Sequence, residues 1–197
     1  FIFIDNNSDD GSQEKLIALS KTINIRLIST PESYKETVSG SKWINEILKD
    51  YKDRWIAVVD MDEHIILRDD KTLVDLRNSM ESSNANVSQF IMIDFYPIEE
   101  SIAVTDPFVH SKFYDKASRS ADYYIEHTKN VGLKIYGGFR YRLQKTSSAD
   151  KSHCLNKKSF FKFNFSDTHW VAGGFHWIYP KDDNYLEQIV SAFWKNT

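Results

Sequence analysis

The chain of 197 residues is long enough for one domain, and its 41% hydrophobic content with 14% aromatic residues suffices for a sizeable buried core. A net charge of −3 argues against nucleic-acid binding, and we interpret short basic clusters such as Lys157-Lys158 as solvated surface. The single cysteine, Cys154, excludes an internal disulfide framework, and no apolar run approaches the roughly 20 residues that span a bilayer. We therefore expect a cytoplasmic protein, with peripheral attachment to a membrane as the alternative.

The first sixty residues alternate predicted strands with predicted helices. The strands are residues 1–4, 23–28 and 55–59, and the helices are residues 13–21 and a segment ending near Tyr51. In the first helix, Leu16, Ile17 and Leu19 are expected to face inward. The apolar residues of the second helix recur at helical spacing; they are Val38, Trp43, Ile44, Ile47, Leu48 and Tyr51. This order predicts an α/β fold with a mainly parallel sheet flanked by helices.

Acidic turns follow two of these strands. The first turn covers residues 5–11, and the second is Asp60-Met61-Asp62-Glu63. Ligands of parallel sheets bind outside the carboxyl ends of the strands, so both turns are candidate sites. An Asp-x-Asp turn offers the oxygen ligands that Mg²⁺ and Mn²⁺ prefer, which predicts a Mn²⁺ or Mg²⁺ ion that bridges the protein to a diphosphate. Acids that merely cap and solvate a loop are the alternative.

The later elements are a helix over residues 71–80, strands over 87–95, 134–136 and 139–143, and a helix over 185–194. Arg140 and Arg142 are two apart and would share one face of a strand. Because guanidinium groups bind phosphate bidentately, we expect both to contact the pyrophosphate of a nucleotide; surface salt bridges are an equally open interpretation.

A catalytic carboxylate is needed if the chain transfers a group to a hydroxyl, because the hydroxyl must lose its proton. Asp94 follows the apolar run 90–93 and is the leading candidate for this base. A strand-end residue that bonds nearby backbone is the alternative. The other carboxylates that stay open for the role are Glu63, Glu99, Glu100 and Asp150.

Five segments resemble family 2 glycosyltransferases in their order and rough spacing, over nearly the whole chain. They are residues 3–11, 55–66, 92–97, 136–143 and 173–176. The likeness is to a bacterial-type branch in which the Asp-x-Asp is followed by Glu, as Glu63 follows here. This branch usually has Phe at the next position, where this chain has His64.

The resemblance implies a GT-A fold, with one domain over residues 1–197, a nucleotide-binding half at 1–67 and an acceptor-side half at 68–197. It also implies that the family's first strand and helix are missing, so we expect the chain to be a segment of a longer protein. The implied activity is metal-dependent transfer of a sugar, with inversion, from a nucleoside-diphosphate sugar to a saccharide or other hydroxyl acceptor. A UDP-sugar is the first choice of donor.

The resemblance also assigns roles to residues. Asn6 would meet the nucleobase, while Asp5 beside it would order the turn. Asp60 would contact the ribose, or the metal through water, and Asp62 would be the direct metal ligand. A histidine late in the chain completes the metal shell of many GT-A enzymes, and the candidates here are His176 and, as second choice, His169.

Two other function classes stay open. One is a non-catalytic domain that keeps the fold and only binds sugar or protein partners. The other is a phosphotransferase or phosphohydrolase of the doubly wound plan, which usually needs an aspartyl nucleophile after the first strand.

Overall fold

The computed structural model describes residues 1–37, 39–68, 71–96, 113–114, 124–128, 132–137, 155–164, 168–172 and 177–180. Within these ranges the helices are α1 (Ser12–Leu19), α2 (Ser41–Leu48), a 3₁₀ turn (Lys49–Tyr51) and α3 (Leu73–Ser82). The strands are β1 (Ile2–Asp5), β2 (Arg26–Ser29), β3 (Trp55–Ala57), β4 (Val87–Ile91), β5 (Phe95–Tyr96), β6 (Phe113–Tyr114), β7 (Tyr124–Thr128), β8 (Gly132–Tyr136), β9 (Asn156–Lys162), β10 (Thr168–Ala172) and β11 (Trp177–Pro180).

β1 and β2 form a parallel pair with α1 between them in the chain. Asp5 and Ser29, the last residues of the two strands, are register partners. Helix α1 begins after Gly11, whose φ of 82° lies in the left-handed region that favours glycine. The helix packs loosely, since Ile17 and Leu19 are about half exposed, and the prediction that both face inward is wrong.

The best-packed part is an antiparallel sheet with the strand order β3-β9-β4. Phe161 in β9 lies opposite Ile56 on one side and Val87 on the other, and is 1% exposed. Leu48 at the end of α2 joins this core, with Ile44 packed beside it. The amphipathic helix predicted before Tyr51 is therefore confirmed over α2, because its apolar spacing meets a real core.

The predicted mainly parallel sheet flanked by helices, and with it the GT-A fold, is wrong. The described strands form sheets of two or three strands, and β1-β2 is the parallel pair among them. β3 is joined instead to β9, which comes about a hundred residues later and runs antiparallel. Helices α1 and α3 also bury little of any sheet surface, because α1 has no buried residue and α3 has only Met80. A parallel sheet needs both of its faces covered.

The remaining elements are short. β4 ends at Ile91, four residues before the predicted end of its strand, and α3 confirms the helix predicted over 71–80 with a capping box between Thr72 and Asp75. The pairs β5-β6, β7-β8 and β10-β11 are antiparallel. The predicted strand 139–143 and helix 185–194 lie outside the described residues. No helix in the described ranges is both long and apolar enough to cross a bilayer.

Candidate functional site

A cleft of about 240 Å³ opens at the carboxyl ends of β1 and β2. Its position agrees with the general rule that ligands bind where parallel strands end. We call it the Asp5 cleft; its lining residues are Asp5, Asn7, Ser8, Gln13, Ser29, Thr30 and Pro31.

The carboxylate of Asp5 is the unusual group in this cleft. Asp5 is 5% exposed, and its buried Oδ2 has no hydrogen-bond partner among the described residues. Buried polar atoms in folded proteins are nearly always hydrogen-bonded, because an unpaired one forfeits its interaction with water. Asp5 lines the cleft, so a ligand that carries a hydrogen-bond donor and displaces the atoms covering Oδ2 would satisfy this acceptor.

Asn6 holds the two loops of the cleft together. Its side-chain Nδ2 donates hydrogen bonds of 2.8 Å to the carbonyl oxygens of Thr30 and Glu32. The backbone N–H of Thr30 donates to the carbonyl of Asp5 across the same gap. In the described structure Asn6 therefore orders the turn and Asp5 faces the cleft, whereas the resemblance implied the opposite division of roles.

The other acids of the 5–11 turn lie outside the cleft lining. Asp10 accepts a hydrogen bond from the backbone N–H of Ser12 at the start of α1. Hydrogen bonds from the side chain and then the backbone of Ser12 lower the pKa of Asp10 below its ordinary value. Asp9 is exposed. Asp5 is thus the acid of this turn that a bound ligand would meet.

The 60–63 turn is closed by reciprocal hydrogen bonds between its first and last residues. The N–H of Glu63 donates to the carbonyl of Asp60 at 3.0 Å, and the N–H of Asp60 donates to Oε2 of Glu63 at 3.1 Å. Glu63 therefore shapes the turn, and one of its carboxylate oxygens is already engaged.

A lysine from β9 bridges two acids of this turn. Nζ of Lys157 donates to Oδ2 of Asp60 at 2.8 Å and to Oε2 of Glu63 at 2.6 Å. The lysine side chain is 2% exposed, whereas the Asp60 side chain is 49% exposed. The antiparallel register explains the contact: Ile56 lies opposite Phe161 and Ala57 opposite Phe160, so continuing the ladder brings Asp60 opposite Lys157.

Asp62 is the acid of the turn with which Lys157 forms no ion pair. It is exposed, and its carboxylate makes no ion pair or hydrogen bond within the described part of the chain. In the same ranges no three His, Cys, Asp or Glu side chains are grouped so that they could hold a metal ion. The donor set nevertheless fits Mg²⁺ or Mn²⁺, because hard cations are often held by one or two carboxylates while phosphate and water supply the other ligands.

The two acidic turns follow strands of different sheets. β1 and β2 form one sheet and β3 belongs to another, and none of the described strands joins the two. A salt bridge of 3.3 Å between Arg26 and Asp50 links β2 to the 3₁₀ turn before β3. Both groups are more than half exposed, so this link is a weak one.

The remaining candidates are only partly covered by the structure. Asp94 is half-buried between β4 and β5 and has an interaction of its own. His169 lies in β10. Arg140, Arg142 and His176 lie outside the described residues, so their predicted roles stay predictions.

Sequence reasoning missed Lys157, which we had interpreted with Lys158 as solvated surface. Each residue is 1% exposed in β9, so that interpretation is wrong. Two adjacent lysines normally indicate surface, because burying an ammonium group is costly unless it is paired. The available signal was the Phe160-Phe161-Lys162-Phe163 run that follows, which is typical of a buried strand.

Comparison of the chain with protein-family models, with curated proteins and with solved structures finds no match.

Proposed function

We propose that this chain binds a nucleoside diphosphate with its base in the Asp5 cleft, and that it transfers a sugar from such a donor to a hydroxyl acceptor with inversion. The observation that carries the proposal is the buried, unpartnered Oδ2 of Asp5 at the carboxyl end of a parallel strand pair. The motif resemblance supplies the reaction class.

The Asp5 carboxylate favours a base that presents an N–H. An ionised carboxylate can only accept hydrogen bonds. Uracil carries an imide N–H on its pairing edge, whereas the corresponding ring nitrogen of cytosine is an acceptor that the carboxylate would repel. A charge-assisted hydrogen bond contributes roughly 1.5–3 kcal/mol. We therefore propose a UDP-sugar as the donor.

The 60–63 turn supplies the groups for the diphosphate end. Asp62 offers its carboxylate to a Mn²⁺ or Mg²⁺ ion, which would stabilise the negative charge on the departing diphosphate. Oδ2 of Asp60 is held by Lys157, which leaves Oδ1 to accept a hydrogen bond from a ribose hydroxyl. Asp94 remains our candidate for the group that takes the acceptor's proton as the hydroxyl attacks.

The binding part is tested by isothermal titration with UDP and with CDP, each with excess Mn²⁺. We expect UDP to bind more tightly than CDP by roughly tenfold to a hundredfold, as one charge-assisted hydrogen bond implies. Asp5→Asn should remove most of this preference, because an amide can also donate to cytosine. Asp9→Asn is the matched control, an exposed acid of the same turn outside the cleft lining, and should leave the preference unchanged.

The metal part is tested with Asp62→Ala in the same titration. We expect this variant to lose the dependence of UDP affinity on Mn²⁺ while keeping its preference for UDP over CDP. If the unaltered chain binds no nucleoside diphosphate with any divalent ion, the proposal is wrong.

Turnover separates an enzyme from a domain that only binds. We expect the chain to release UDP from a UDP-sugar above background as the sugar is transferred to an acceptor or to water, and Asp94→Asn to slow that release. Tight binding of UDP-sugar with no release by the full-length protein would favour the non-catalytic alternative.

A further inference from the structure

Lys157 supplies a fixed positive charge to the 60–63 turn. Its ammonium group lies within 2.8 Å of Asp60 and 2.6 Å of Glu63, and its side chain is 2% exposed. The lysine is on β9, the central strand of the three-stranded sheet, and its register partner in β4 is Phe90, which fixes where its side chain starts. The turn therefore contains a built-in monovalent cation.

This lysine and the two acids depend on each other. A buried ammonium is tolerated only when it is paired, and removing one partner of such a pair leaves an uncompensated charge. A divalent ion that bound directly to Oδ2 of Asp60 or to Oε2 of Glu63 would have to displace the ammonium from the same oxygen atoms. It would also approach a positive charge within a few ångströms.

At Asp62 a metal ion would not have to displace the Lys157 ammonium. Its carboxylate is exposed and has no ion pair within the described residues. A single carboxylate is a poor site for a divalent ion by itself, because such an ion keeps most of its waters and gains little. A diphosphate that offers further oxygen ligands would complete the site.

We propose that Lys157 is a positioning residue that keeps Asp60 and Glu63 from binding the metal directly, and so makes metal binding depend on the diphosphate. The inference rests on the proposed function, because it takes the metal to bind at Asp62. Its consequence is an order of events: the metal enters with the nucleotide and leaves with it.

The test measures Mn²⁺ binding, without any turnover, by the loss of the free-ion electron paramagnetic resonance signal. The unaltered chain, Lys157→Met and Lys157→Arg are each titrated with Mn²⁺ alone and with Mn²⁺ plus UDP. We expect Lys157→Met to bind Mn²⁺ alone at least roughly tenfold more tightly than the unaltered chain, within the range typical of coupled sites. Lys157→Arg keeps the charge and should behave like the unaltered chain.

A double variant identifies the ligands responsible. Lys157→Met with Glu63→Gln removes one of the released carboxylates, so the affinity gained in Lys157→Met should fall back. If Lys157→Met keeps its circular dichroism spectrum and binds Mn²⁺ no more tightly than the unaltered chain, the inference is overturned.

A measurement on the unaltered chain covers the case in which Lys157→Met does not fold. The ¹⁵N signal of the Lys157 ammonium is identified by its absence in Lys157→Arg and followed while Mg²⁺ and UDP are added. A signal that persists supports the inference, because the lysine stays on its two acids; its loss to solvent exchange overturns it. Failure of the proposed function would be seen separately, as absence of UDP binding in the unaltered chain.

Discussion

Lys158 is the neighbour of Lys157 in β9, so its side chain points to the opposite face of the sheet. It is 1% exposed, and burial lowers its pKa from 10.5 to about 8. The unfolded chain therefore binds one more proton than the folded chain between about pH 8 and pH 10.5. Charging this buried amine destabilises the fold, and the penalty is complete below pH 8 and disappears as the pH rises through that window.

The prediction at this scale concerns the pH dependence of stability. The free energy of unfolding of the unaltered chain, relative to that of Lys158→Met, should rise by about 3 kcal/mol between pH 7.5 and pH 10.5. Urea denaturation at several pH values measures it. Lys35→Met, at an exposed position, is the control and should track the unaltered chain. If the difference in unfolding free energy between the unaltered chain and Lys158→Met does not change across this pH window, the lowered pKa of Lys158 is contradicted.

For single residues of the candidate site, the sequence predicts which residues lie near the site but not the role of each. The pattern after the first strand indicates Asp5 and Asn6; Asp5 lines the cleft, whereas Asn6 bonds the loop beside it. Which of the two faces the cleft depends on where Thr30 and Glu32 lie, because their carbonyls hold Asn6. That is a contact between loops 24 and 26 residues apart, which no local pattern contains.

At the scale of elements, β9 is the strand on which the described core depends. Phe161 is 1% exposed and lies between β3 and β4. Phe161→Ala should reduce the free energy of unfolding by about 3–5 kcal/mol, because it removes buried apolar surface and leaves a cavity. Denaturant unfolding measures this loss. Ile66→Ala, at a position 79% exposed, should change the stability by less than about 0.5 kcal/mol, and an equal loss there would contradict the proposed core.

Helix α2 and strand β9 show why some elements were predictable. The spacing of Trp43, Ile44, Ile47 and Leu48 specifies one apolar face whatever lies against it, so the helix could be identified locally. The sequence Asn156-Lys157-Lys158-Ser159 is polar, and distant partners make its burial possible. Asn156 accepts a hydrogen bond from the backbone N–H of Ile135, and Lys157 donates to Asp60 and Glu63.

At the scale of the whole molecule, the proposed function requires the Asp5 cleft and the 60–63 turn to hold one ligand. The binding of uridine should then depend on Asp5 alone, whereas the binding of UDP with Mn²⁺ should depend on both Asp5 and Asp62. In a double-mutant cycle of Asp5→Asn and Asp62→Ala, both substitutions should then reduce the binding free energy of the same Mn²⁺–UDP complex, measured as a single binding constant. Titration calorimetry measures each constant. Two ligands that bind simultaneously, each sensitive to one substitution, would contradict a shared site.

The alternation of strands and helices over the first sixty residues predicted the kind and approximate bounds of β1, α1, β2, α2 and β3. It could not predict which strands pair. The parallel sheet inferred from it is replaced by β3-β9-β4, in which β3 pairs with a strand about a hundred residues later and Phe161 and Val87 are buried in one core.

The distance along the chain between Lys157 and its acids has a consequence for how the protein is made. Glu63 precedes Lys157 by 94 residues and Asp60 by 97. At a synthesis rate of roughly 5–20 residues per second, the ribosome needs on the order of 5–20 seconds to deliver the lysine after the acids. Throughout that interval the 60–63 turn of the nascent chain lacks its lysine, and β3 lacks its partner strand. The early half of the chain can therefore bind free cations and pair with other unpaired strands until β9 is synthesised.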